Sequence, residues 1–306
     1  MSSSDFEVPE PIICSPFDEP AEHWHIEEGQ PPDLKPRRRP SVYFRPAQGD
    51  DGAVAGTAIP LRLVELVRAR VKQWRDDGYP GASRTTLELL KYWRRDGRQH
   101  RLFFAQLEAA ETVVFLNEAR RDYLQGIDVP RDEPSDRQKE DLGYRAFTRY
   151  ACKMATGAGK TTVMGMLAAW SILNKVHDRG NARYSDVVLV VCPNVTIRSR
   201  LGELDPQQGE ASLYRTRDLV PGDLMPDLAQ GRVLVTNWHV FEPQQMQAGG
   251  VSAKVLKAGV RKRLREFINI GSKTTTARGR RYLTLDEFHR QVNAGLLEVL
   301  EEEQDG

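Results

Sequence analysis

Residues 153 to 162, KMATGAGKTT, contain the parts of a loop that could hold a triphosphate. Gly157 and Gly159 admit backbone angles that a side chain would forbid. Such angles turn successive amide N–H groups inward, toward phosphate oxygens, at a helix N-terminus. Lys160 is the point charge for the β- and γ-phosphates, and the Thr161 hydroxyl is the expected Mg²⁺ ligand. Ala155, Thr156, Ala158 and Thr162 complete the segment that would surround the phosphates. The general pattern G-x-x-x-x-G-K-[ST] asks for glycine at 154, where this chain has Met154. A glycine-rich turn that binds nothing is the plain alternative. Against it stands the context: β-prone FTRYACKM runs into the glycines, and TTVMGMLAAWSILNKV continues as a helix.

The elements that must carry this loop can be read from periodicity. Residues 60 to 76 place Leu63, Leu66, Val67 and Val71 at helical spacing, with Pro60 at a first-turn position. TTLELLKYW predicts a second helix capped by Thr85 or Thr86. AQLEAAETVVFLNEARRDYL predicts a third, with Leu107, Ala110, Val114 and Leu124 among its apolar positions. IDVPRDEPSDRQKEDLG is polar and turn-rich, a loop or insertion. DVVLVVCP and RVLVTNWHVF read as buried strands, and their alternation with helices implies a parallel sheet covered on both faces. Nine of the 18 prolines lie between Pro9 and Pro46, so residues 1 to 58 predict an extended arm that packs on a body.

Composition narrows the class. With 44 Lys plus Arg against 43 Asp plus Glu, any surface for nucleic acid must be local. Cys14, Cys152 and Cys192 form neither a metal spacing nor a disulfide framework, so a reducing cytoplasm is the simplest compartment. The histidines of HWH, His23 and His25, lack further ligands nearby. MSSSDFEVPE has no basic start or apolar core of a leader, and no apolar run reaches membrane-spanning length.

MATGAGKT resembles the first motif of superfamily 2 helicases, closest to the Res subunit of type III restriction–modification enzymes. The resemblance extends over roughly residues 100 to 240. It implies ATP as the nucleotide, with Mg²⁺, and Gln106 as the reader of the adenine edge. A primary amide donates and accepts at once, which suits that edge. A solvent-facing helix glutamine is the alternative. Pro193, Asn194 and Arg198 after the first strand, and Thr236 and Asn237 after the second, match positions that contact a nucleic-acid backbone. A strand-end turn is the alternative for Pro193 and Asn194. Trp238 could stack on a base or sit in the core. Contacts to phosphate and sugar carry no sequence information, which agrees with a neutral chain.

Such an ATPase also needs an acid pair, which family members spell Asp-Glu-x-His. LDEFHR offers Asp286, Glu287 and His289. Thr284 and Glu287 also have the spacing of a helix capping box, and Leu285, Phe288, Val292, Leu296 and Val299 keep helical periodicity. The helix is the favoured reading, with the acid pair expected beyond Gly306. KVLKAGVRKRLREF predicts a basic helix that could touch phosphates or simply be solvated.

The architecture expected is α/β: a proline-rich arm (1–58), a helical segment (59–100) and one RecA-like P-loop lobe with a parallel sheet (101–306), lacking a second lobe. The resemblance implies a DNA-dependent ATPase of the helicase–translocase kind, acting on double-stranded DNA through backbone contacts, with a modification methyltransferase as partner and no membrane. The rivals are a truncated nucleotide-binding remnant without motor activity and another P-loop enzyme, such as a kinase.

Overall fold

Apolar residues recurring every three or four positions make helices of the middle of the chain, and a six-residue β-branched run makes a strand at 187–192. The computed structural model describes residues 10–26, 30–45, 57–134, 136–141, 146–193 and 195–237. In chain order the elements begin with β1 (Glu22–His25), β2 (Asp33–Pro36), β3 (Val42–Arg45) and β4 (Thr57–Pro60). Then come α1 (Arg62–Asp76), α2 (Arg84–Arg94), α3 (Phe104–Glu118), β5 (Arg131–Asp132), α4 (Arg137–Asp141) and β6 (Phe147–Thr148). The remainder are α5 (Lys160–His177), β7 (Val187–Cys192), α6 (Val195–Leu201), α7 (Leu213–Thr216), α8 (Met225–Leu228) and β8 (Arg232–Asn237). They form two units. One gathers the described residues up to Ser83 with Trp93–Ile127 and Met154–Val163. The other gathers Arg84–Tyr92, Asp128–Lys153 and the described residues from Met164.

In the first unit the proline-rich segment is not simply extended. It folds into two antiparallel hairpins, β1 with β2 and β3 with β4. Pro60 ends β4 opposite Val42, so α1 starts two residues later than its proline suggests. His23 and Trp24 spend their ring N–H groups on the Arg37 and Glu10 carbonyls. Val67, Val71 and Trp74 form the buried stripe of α1. Trp74 is fully enclosed, edge-on to Tyr79 at 4.9 Å and to Phe115 at 5.5 Å, and its indole donates to the Pro80 carbonyl at 3.0 Å. Helix α3 stops at Glu118, six residues before Leu124, because Ala119 turns extended and Arg120 donates its amide to the Pro80 carbonyl.

The inward stripe of α3 carries charge. Glu111 is 1% exposed and receives Arg75 at 2.6 and 2.9 Å, both nitrogens of one edge of Arg94, and the Tyr79 hydroxyl at 3.0 Å. Burial alone would raise its pKa, but the hydrogen bonds and charge of Arg94, then Arg75, hold it below the usual carboxylate range. Glu118, also buried, accepts the Ser83 amide at 2.8 Å just before α2.

In the second unit Met166, Ala169, Ile172 and Leu173 of α5 are buried, as are Leu204, Tyr214, Leu219 and Leu228. The enclosed Tyr214 hydroxyl donates to the Leu204 carbonyl at 2.8 Å, and burial raises its pKa. Thr85 and Thr86 lie inside the first turn of α2 rather than capping it. The Thr86 hydroxyl accepts from Trp170 and Asn174, and Thr85 meets His177, whose other ring nitrogen meets Asp227 at 2.9 Å. Strands β7 and β8 pair in parallel from Val187↔Arg232 to Cys192↔Asn237. Their connection through α6, α7 and α8 is long enough for a parallel crossover. A Cβ at Gly231 would lie 2.9 Å from the Asp186 carbonyl, so this position needs glycine to bring β8 alongside β7.

Among the described residues this parallel ladder has two strands. Its burial alternates where two covered faces were expected: Leu189 and Val191 are 39% and 46% exposed, while Cys192 and Val233 are buried. FTRYACKM contributes only Phe147–Thr148, paired antiparallel with β5, and not a strand leading directly into the glycine loop. No helix among the described residues is long and apolar enough to cross a membrane.

Removing the Glu111 charge leaves two half-buried arginines facing each other. Glu111→Gln is expected to cost about 3 kcal/mol of stability at pH 7. Because the folded pKa is lowered, the stabilisation is full above the unfolded value near 4.5 and fades as pH falls below it. Urea unfolding at pH 7 and pH 3.5 checks this: the gap between wild type and variant narrows at the lower pH. A gap that does not change with pH contradicts it.

Candidate phosphate and nucleotide site

The first unit holds both the glycine loop and the start of α3. Ala155, Thr156 and Gly157 are exposed, and the chain turns there with the Ala158 amide donating to the Ala155 carbonyl at 3.3 Å. Gly157 and Gly159 have φ of +81° and +78°, the left-handed region that glycine reaches without a Cβ clash. Helix α5 begins at Lys160, and the amides of Thr162 and Val163 close its first turn on the Gly159 carbonyl at 3.0 and 3.3 Å. A helix start leaves its leading amides without intrahelical acceptors, so they face whatever occupies the loop. Thr161 is half-buried and Thr162 buried. The Lys160 ammonium is exposed and donates to the Ala155 carbonyl at 3.0 Å, folding back across the loop's mouth.

Gln106 comes to this loop from α3. It is 6% exposed, not the solvent-facing residue of the alternative reading. Its Oε1 accepts the Phe103 amide at 2.9 Å, one half of a capping box; Phe103 has no polar side chain to return the other half. Its amide nitrogen lies against Gly159: a Cβ there would fall on Nε2, and would sit 3.1 Å from Cδ.

The proposed nucleic-acid positions belong to the second unit. Pro193 is exposed directly after β7. Arg198 is exposed on α6 and lines, with Asp205, Val233 and Val235, a cleft of about 410 Å³. Thr236 is half-buried opposite Val191. Asn237 is buried, and its Oδ1 accepts the Cys192 thiol at 3.2 Å. The same thiol lies 3.2 Å from the Thr236 carbonyl. The Asn237 carboxamide oxygen thus helps hold the strand ends together. Asn194, Trp238, the basic run from Lys254, and Asp286 with Glu287 lie outside the described residues.

The profile of the type III restriction enzyme res subunit family matches residues 99–304, well over half of the 306 residues. The chain belongs to the type III restriction enzyme res subunit family. No curated protein and no solved structure matches it. The res subunit match begins just before α3 and continues past β8, so it takes in Gln106, the loop and the β7–β8 ladder. It also extends beyond residue 240, where the sequence resemblance stops. The chain thus carries the helicase-like, RecA-related domain of the res subunit family, with mixed helices and strands.

The two loop glycines separate strain from displacement. At Gly157 an added Cβ meets nothing within 4 Å, whereas at Gly159 it collides with Gln106. Both alanines pay for a left-handed backbone, roughly 1 kcal/mol. Gly159→Ala must also expel Gln106. Its affinity for a fluorescent ATP analogue is expected to fall at least about tenfold further than that of Gly157→Ala, roughly 1.4 kcal/mol. Equal losses would remove the claimed Gln106 contact from the site.

Proposed function

We propose that this chain binds ATP at the Ala155–Thr162 loop and is the nucleotide-binding lobe of a DNA-dependent ATPase of the helicase–translocase kind. The observation that carries the reading is the convergence, within one unit and within the family match, of two left-handed glycines, a lysine at a helix start and the buried Gln106. The fit to a triphosphate is physical. Loop residues 155–157 are open to solvent, the helix start points amides at them, and the ammonium can leave its carbonyl for a phosphate oxygen. Thr161 would hold Mg²⁺, which when bound neutralises charge on the β- and γ-phosphates. Gln106 would face the adenine edge, and Lys160 would hold the phosphates in place.

Asp286 and Glu287 are the candidate acid pair to be tested within this chain. The family match runs to residue 304 and so spans Leu285–Arg290, a stretch that also reads as a capped helix. As the acid pair, Asp286 would help hold Mg²⁺ and Glu287 would orient the attacking water. DNA is the proposed partner, held by its backbone. Pro193, Arg198 and Thr236 are accessible for such contacts, with Asn194 beside them in sequence, and Asn237 positions the strand end. A methyltransferase subunit remains the partner implied by resemblance.

The decisive experiment measures ATP binding and turnover by the intact chain, with and without double-stranded DNA. Lys160→Ala is expected to abolish detectable binding. Glu287→Gln is expected to retain binding and lose turnover; unchanged turnover returns that stretch to the helix reading. Arg198→Ala should weaken DNA binding uniformly across sequences and reduce the slope of log affinity against log salt by about one. Triphosphate binding that survives Lys160→Ala overturns the site itself.

A further inference from the structure

We propose that the N-terminal arm sets the base selectivity of the nucleotide site, with Arg38 and Phe17 acting as positioning residues for Gln106. The inference rests on the nucleotide-binding reading above and goes beyond it, because both residues lie outside the family match, which starts at residue 99.

Helix α3 starts without a capping side chain of its own, and the arm holds that start. The Phe104 amide donates to the Pro16 carbonyl at 2.9 Å. The Phe17 ring stands edge-on to Phe103 at 5.5 Å. Arg38 grips both oxygens of Glu108, at 2.5 and 2.9 Å, and its guanidinium lies 5.4 Å from the centre of the Phe104 ring. Side-chain exposures of 17% and 20% take this fork-to-carboxylate pair well out of bulk water. Arg38 also reaches Glu19 at 3.5 Å, which ties the two parts of the arm together.

Phe103, fixed in this way, dictates which way round the Gln106 amide sits. Its N–H requires an acceptor, so Oε1 turns to it and Nε2 turns to Gly159. A glutamine free to rotate could meet adenine, which offers a donor and an acceptor, or guanine, which offers two acceptors. A glutamine whose amide sense is locked discriminates between them. The arm supplies the lock from the far side of Phe103, and no arm residue needs to touch the nucleotide.

The test compares ATP and GTP in competition against a fluorescent triphosphate, using the full chain. Wild type is expected to prefer ATP by about tenfold or more, the discrimination of one bidentate contact. Arg38→Ala should bring the ratio to within about threefold while Lys160-dependent binding persists. Arg38→Glu combined with Glu108→Arg should restore the preference. Phe17→Leu removes the ring contact without touching charge, and carries the same expectation if Arg38→Ala does not fold. Parallel losses for ATP and GTP, or an unchanged ratio, overturn the inference. Lys160-dependent binding without base preference in wild type also overturns it and leaves the phosphate loop standing. Absence of Lys160-dependent binding overturns both.

Discussion

A carboxylate removed from water is tolerable only where positive charge meets it, and Glu111 is met from two sides. Arg75 comes from α1 and Arg94 from the segment that leads into α3, so one buried anion ties α1, α3 and that segment together within its unit. The same helix carries three further polar grips. Gln106 holds its own N-terminus and abuts the phosphate loop, Glu108 holds the arm, and Glu118 holds the turn before α2. Helix α3 is thus an organising rod, and its rotation about its own axis cannot drift. Gln106, which abuts the glycine loop, thus shares its helix with the Glu111 charge cluster.

Local pattern was readable in the sequence, and pairing at a distance was less so. α1, α2, α5 and the β7–β8 partners follow from spacing because helices and central strands are decided within a few residues. The glycine loop was legible because its φ requirements are written in residue type. The placement of Gln106 beside it came from family resemblance and not from periodicity. Elsewhere distant contacts won. The length of α3 is cut by Pro80, nearly 40 positions upstream, which captures Arg120. The proline-rich arm folds into hairpins because its prolines fall at strand ends and turns, where a missing N–H is not needed. One signal for the charge cluster was available: Gln106, Glu111 and Glu118 sit on the same stripe as Leu107, Ala110 and Val114. Polar residues on an apolar face imply partners, although their identity depends on the fold. Asn237 shows the converse. Its position at a strand end suggested a contact with ligand; its buried oxygen also takes the Cys192 thiol, a local role that the sequence did not show.

The backward fold of Lys160 onto the Ala155 carbonyl changes what its affinity can mean. The exposed ammonium keeps its water and has a carbonyl partner at 3.0 Å as well. On the proposed reading, capture of a phosphate would exchange one oxygen partner for another, and only the difference between them would drive that contact. A triphosphate at this loop would thus have to outcompete a carbonyl as well as water for the Lys160 charge.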